Sequence, residues 1–387
     1  MQKVLNSSVP FLFDLHNLER RTYTKIASFA QEIIDRSSIS VYDDTSDRVT
    51  DACGACNLGR NLRESPHFLF MGFGDAMDKV FLNYEQQIRK LVEEKKLNIA
   101  DVAYAKEMLK RYSYYALISG YKEKFKNPST KQYMEGTRFE DIVALYEFDE
   151  KMRQIFLKYL LKIEVQVKSY YSFYFCEKYG EGQTEYLKPQ NYNYVGRNVG
   201  SIDKLIAIMG KYTAGHTDYH YINHAAQKYG NVPLWVLMNA LTFGNLSKMY
   251  MLARYDLQTK IAKNYEGLNE VQFSKLLQVL TQFRNVCTHG ERLYMHRTKQ
   301  AIPTMPLHEK LNIQKNGQEY ASGKHDLFAV VIAMRYLLPR DWFIELKKEL
   351  IRVINQYMKQ SHYFSEDQLL SFMGFPKNWK QITRYKK

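Results

Sequence analysis

Three side chains in the segment from Gln282 to Arg292 have the types and spacing to move protons around a phosphate: Arg284, Asn285 and His289. An imidazole titrates near neutral pH, so His289 can take or give a proton. A guanidinium offers phosphate oxygens a planar fork of donors, so Arg284 can hold a phosphate and offset charge developing on it. The Asn285 amide can orient the substrate or its neighbours by hydrogen bonds. Together these groups suit attack of a ribose 2′-hydroxyl on the adjoining phosphate. In that reaction the hydroxyl loses a proton, the phosphate gains charge and the departing 5′-oxygen gains a proton. The chemistry needs neither metal nor cofactor, and its dependence on the 2′-hydroxyl separates RNA from DNA. The residues leave another account open, in which an Arg–Asn pair caps carbonyls and a solvated His lies beyond. A bare Arg-x4-His spacing arises by chance in about half of chains with this many Arg and His; requiring Asn directly after the Arg lowers the expectation to roughly 0.03 matches.

The elements that must position these groups are helical. Val271, Leu276, Leu277, Leu280 and Phe283 recur at helical spacing and predict a helix over 269–288, with Gly290 as its stop signal. Arg284 and His289 are five residues apart, too far round an ideal helix to share a face. A helix ending between them would bring the imidazole back beside the guanidinium. Glu164 lies on the longest helical pattern, 149–179, whose stripe is Met152, Ile155, Phe156, Tyr159, Ile163, Val167, Tyr170 and Tyr174. It is a candidate to support the pair, or else an i,i+4 partner of Lys168. Beyond the segment, Arg292, His296, Arg297 and Lys299 surround Tyr294 and read either as an RNA path or as an ordinary solvated loop.

Tyr84, Ile88, Leu91 and Val92 mark a helix face, and Asp101 caps a pattern running through Ala116 to Gly120. Thr137 and Glu140 have capping-box spacing. Further helices are predicted at 202–212, 217–229, 234–242, 246–264, 326–338 and 341–360, the last two parted by Pro339. Phe243-Gly244-Asn245-Leu246 reads as a helix junction where Gly permits close packing. Residues 298–325 read as a long loop with a turn at Asn316-Gly317, and the basic tail 377–387 as disordered. The expected fold class is all-α, a helical bundle with added helices.

With 387 residues and a net charge of +14, the chain favours polyanionic partners. Its 31 Tyr and 21 Phe beside many cations suit single-stranded nucleic acid, although most tyrosines read as fillers of helix interfaces. Four cysteines fit a reducing compartment, and neither a secretory leader nor a membrane-length apolar run is seen, so a cytoplasmic protein with no membrane partner is expected. Residues 1–80 look different from the rest and are taken as an N-terminal extension to a helical domain at 81–387. Within it, Arg60-Asn61 followed by His67 echoes the later motif, but Pro66 argues against a second site. Cys53 and Cys56 form a lone CxxC without the further ligands a zinc site needs, and read as incidental thiols.

The chain resembles the bacterial abortive-infection Abi family, of AbiD and AbiF type, within the HEPN ribonuclease superfamily. The resemblance runs from about residue 81 to the C-terminus. It rests on Phe81 to Ile88 (FLNYEQQI), Leu109 to Tyr121 (LKRYSYYALISGY), Ile163 to Lys168 (IEVQVK), Pro233-Leu234-Trp235, Phe243 to Ser247 (FGNLS), Arg284 to Arg292, and Gly374 to Trp379 (GFPKNW). It implies a HEPN-type bundle and a phage-defence or toxin-like endoribonuclease that works without metal and leaves a 2′,3′-cyclic phosphate. Arg284, Asn285 and His289 would be catalytic, and Glu164 more weakly so. HEPN sites are often built from two facing motifs, and one motif per chain then implies a homodimer. An antitoxin or a regulatory non-coding RNA would restrain it. The rival reading from the residues is a non-catalytic protein that holds a structured RNA on the same basic surface.

Overall fold

The computed structural model describes residues 80–214 and 216–386. The readings on Arg60, Asn61, His67, Cys53 and Cys56 lie outside the described residues, as does the rest of 1–79. What is described is all-α apart from one hairpin of two two-residue strands.

Helix α1 (Tyr84–Arg89) is closed at its start by a capping box in which Asn83 and Gln86 exchange side-chain and backbone hydrogen bonds. Asp101 accepts from the Tyr104 N–H and opens α2 (Val102–Tyr112), as expected. That helix does not continue to Gly120. Ser113, at φ 62° and ψ 152°, breaks it, and the chain resumes as a π-turn over Tyr115–Ser119. A side chain in that region of backbone space costs about 1–3 kcal/mol and persists only where its surroundings impose it.

Helix α3 (Phe139–Tyr179) joins what the sequence suggested were two segments. No Gly or Pro falls between residues 139 and 179, so nothing stops propagation. Its cap is one residue later than the Thr137 reading: the Arg138 N–H and guanidinium both donate to Asp141, while Thr137 bonds Met134 and Tyr363. The buried stripe begins as predicted with Met152, Phe156, Tyr159, Ile163 and Val167, then passes to Tyr171 and Phe175 rather than Tyr170 and Tyr174.

The chain continues through α4 (Gln183–Leu187), α5 (Val199–Thr213), α6 (His220–Tyr229), α7 (Leu234–Leu237), α8 (Phe243–Leu252), α9 (Tyr255–Ala262) and α10 (Glu270–Thr288). The predicted 246–264 helix is therefore two, parted at Ala253 and Arg254. At the Gly244 junction an added methyl would make only ordinary van der Waals contact with Thr242 and Thr281, so close packing does not demand glycine there.

Residues 298–325 are not a loose loop. They hold α11 (Pro306–Lys310) and the hairpin β1 (Lys315–Asn316) and β2 (Glu319–Tyr320), which turns at Gly317, φ 64°. His308 is fully buried there, bonding Gly323 through one ring nitrogen and Met305 through the other. Every residue of α12 (Leu327–Leu337) is buried, the signature of a helix at the centre of a bundle. Helix α13 (Arg340–Gln360) buries Phe343, Leu346, Leu350, Ile354 and Tyr357 on one face and lies along α3.

The tail is ordered too. After α14 (Glu366–Met373), Trp379 and Ile382 are completely buried, and Lys347 donates to the Lys380 carbonyl. Two apolar anchors hold in place a stretch whose charge suggested otherwise. Gly374 adopts φ 77°, and a Cβ there would fall 2.2 Å from the Asp326 carboxylate, itself the cap of α12. The Gly374 to Trp379 segment is thus accounted for by packing.

Candidate functional site

Helix α10 brings Arg284 to the site by packing along α3 and α8. Phe273, Leu276, Leu277, Leu280, Phe283 and Cys287 form its buried face, whereas Val271 is 60% exposed and no part of it. Burial pushes the Cys287 thiol up to about 12, which removes it as a nucleophile despite its place inside the motif.

The helix ends where the sequence placed it, keeping helical geometry past Arg284 for a further turn. It runs through Thr288, with His289 as the C-cap and Gly290 left-handed at φ 68°. The His289 N–H donates to Asn285 and the Glu291 N–H to Val286, the 6→1 bond of a Schellman close. The Thr288 hydroxyl donates back to the Arg284 and Asn285 carbonyls and tightens the last turn. Five helical residues separate Arg284 and His289 by about 140° around the axis, so the fold-back suggested by the sequence does not occur within one chain. Among the described residues no hydrogen bond joins their side chains. Asn285 and His289 are exposed, and Asn285 Oδ1 lies 3.5 Å from Arg284 Nη1.

Glu164 and Arg284, distant in sequence, do meet. Glu164 is buried on α3, with Oε1 held by Lys168 at 2.8 Å and Oε2 facing Arg284 Nε at 3.7 Å. The i,i+4 pair with Lys168 is present, and Glu164 also approaches Arg284, though not His289. Glu164 Oε2 and Arg284 Nε are each buried without a hydrogen bond. Opposite charges lie face to face there, one short movement from a full bond. Beside Glu164 the surface carries exposed apolar groups, Val165 68%, Trp235 50% and Leu161 43% exposed, interspersed with polar ones.

Arg292, His296 and Arg297 line a separate cleft with Tyr115, Gly120, Glu123 and Glu291, while Lys299 is exposed outside it. His296 packs edge-on against Phe283, and burial holds its pKa below the usual imidazole value. It is therefore a weaker phosphate ligand at neutral pH than its neighbours. Arg297 donates to the carbonyls of His296 and Phe372, and Arg292 Nη1 lies 3.8 Å from Glu123.

Sequence reasoning missed the group that fixes this segment. Asp149, fully buried on α3, accepts from Tyr121 Oη at 2.7 Å, Arg153 Nη1 at 2.8 Å, and the N–H groups of Leu293 and Tyr294 at 2.9 and 2.7 Å. Burial raises its pKa, opposed by the Arg153 guanidinium and the surrounding donors. Arg153 also reaches the Glu291 carbonyl, and Tyr121 stacks on Tyr294. The one available signal was an Asp–Arg i,i+4 pair inside an apolar stripe.

Among the described residues no cluster of His, Cys, Asp and Glu could hold a metal ion. No described helix is long and apolar enough to cross a membrane. The family model described as Abi-like protein matches residues 107–295. The match takes in Glu164, Arg284, Asn285, His289 and Arg292, but leaves out the Phe81 to Ile88 and Gly374 to Trp379 segments, so it is narrower than the resemblance read from the sequence. No curated protein and no solved structure matches the chain.

Proposed function

We propose, from the Abi-like match over residues 107–295 as premise, that this chain is a HEPN-type endoribonuclease of a phage-defence system. It acts as an abortive-infection effector or as the toxin of a toxin–antitoxin pair, and cuts RNA by 2′-hydroxyl transesterification without metal. The observation that carries the reading is Glu164 facing Arg284 on the helix that ends in His289. Arg284 holds the scissile phosphate, His289 moves the proton and Asn285 orients the linkage. Glu164 aims the guanidinium as a positioning residue.

Because Arg284 and His289 diverge around α10, the assembly that serves one linkage is a homodimer, with His289 of one copy beside Arg284 of the other. The exposed Leu161, Val165 and Trp235 beside Glu164 are apolar surface suited to such a contact. The active protein works in the cytoplasm, restrained by an antitoxin or a regulatory RNA.

The test is incubation of the purified protein with end-labelled RNA in excess chelator, alongside His289→Ala. Cyclic-phosphate ends with the parent, and none with a variant that still binds RNA, support the reading. Intact RNA with both proteins would refute it and favour a non-catalytic protein that holds a structured RNA.

A further inference from the structure

Among the described tyrosines many, such as Tyr159, Tyr171, Tyr192 and Tyr294, are buried, whereas Tyr115 is 80% exposed. It stands at the start of the π-turn that follows the strained Ser113, and such wide turns recur at functional sites. It lines a cleft of about 520 Å³ together with Arg292 and Arg297. That volume lies within the range of small-ligand sites. Part of the lining is preorganised, because Tyr121 and the backbone following Arg292 are locked to buried Asp149, and the Glu291 carbonyl to Arg153.

The cations are available. The Arg292–Glu123 pair is long and exposed, so a phosphate can displace it. Arg297 has further donors beyond the two that meet carbonyls. Glu123 and Glu291 also line the cleft. Carboxylates disfavour a bare polyanion but accept hydrogen bonds from the N–H groups of a base.

We infer that this cleft is a subsite for one unstacked nucleotide of single-stranded RNA, with Tyr115 stacking on the base and Arg292 and Arg297 meeting its phosphates. The inference deepens the ribonuclease reading and rests on RNA being the ligand. Aromatic stacking with cation–phosphate contacts is the general means of holding single strands. A duplex, whose bases are already stacked, offers the cations phosphates but gives Tyr115 no base to stack on.

The experiment titrates a labelled ten-nucleotide single-stranded RNA into full-length protein carrying His289→Ala, at several salt concentrations. Adding Tyr115→Ala is expected to weaken binding about tenfold, while Tyr115→Phe keeps parental affinity. Adding Arg292→Ala is expected to lower the salt slope by about one. Equal affinity with and without Tyr115→Ala, or equal competition by a duplex, overturns the subsite. RNA that the parent binds but does not cut refutes the nuclease reading and leaves the subsite standing. Cutting and binding unaffected by Tyr115→Ala does the reverse. Absence of any RNA binding removes both.

Discussion

Replacing Asp149 by Ala removes the acceptor of four hydrogen bonds from a fully buried site. The Arg153 side chain, only 8% exposed, then has no counter-charge, and an uncompensated buried charge costs about 3–5 kcal/mol. The Leu293 and Tyr294 N–H groups also lose their partner, and a buried orphan donor costs about 1–3 kcal/mol. These costs overlap, since water entering the vacated space relieves several groups at once. A net loss of about 4 kcal/mol is expected, a large part of the roughly 5–15 kcal/mol that keeps an ordinary domain folded. Urea unfolding followed by far-ultraviolet circular dichroism reads it directly. Arg153→Met in the Asp149→Ala background takes away the stranded cation and should restore about 2 kcal/mol. A loss under about 1 kcal/mol for Asp149→Ala, with the two substitutions additive, would show that the charge–charge argument is mistaken.

Gly374→Ala should destabilise the protein by about 3 kcal/mol, since a left-handed non-glycine residue costs about 1–2 kcal/mol and the buried Asp326 carboxylate must move as well. A thermal melt within a degree of the parent would contradict this. Burial lowers the pKa of His308 below its ordinary value of about 6.5. The unfolded chain therefore takes up the proton first as pH falls, so the stabilisation is complete above about pH 6.5 and is lost below it. Urea midpoints from pH 8 down to 5.5 should decline, and His308→Gln should flatten part of that decline. His296, depressed in the same direction, accounts for some of the remainder.

Periodicity disclosed most of the long helices, because each buries a continuous apolar face: Leu276, Leu280 and Phe283 on α10, or Leu346, Leu350 and Ile354 on α13. It failed where local signals were absent. Nothing in the sequence around Ser113 announces a backbone turn, and the basic character of 377–387 hid the anchors Trp379 and Ile382. Arg284, Asn285 and His289 stood out by type and spacing, and Glu164 by resemblance. Their relative placement was not legible, because spacing alone does not say whether helical geometry persists up to His289; it does, and turns the two about 140° apart around α10. Asp149 escaped notice because four partners far apart in sequence make it what it is.

Helix α3 carries Glu164 at one station and Asp149 at another, fifteen residues earlier along the same rod. At 1.5 Å per residue that interval is about 22 Å along the helix axis, set by stacked peptide units rather than by loops. The rod therefore behaves as a ruler. Adding a single residue between the two stations would swing one about 100° away from the other, while two added turns would restore their facing and lengthen the gap by about 11 Å. Changes in length along this stretch preserve the facing of the two stations only when they come in near-whole turns.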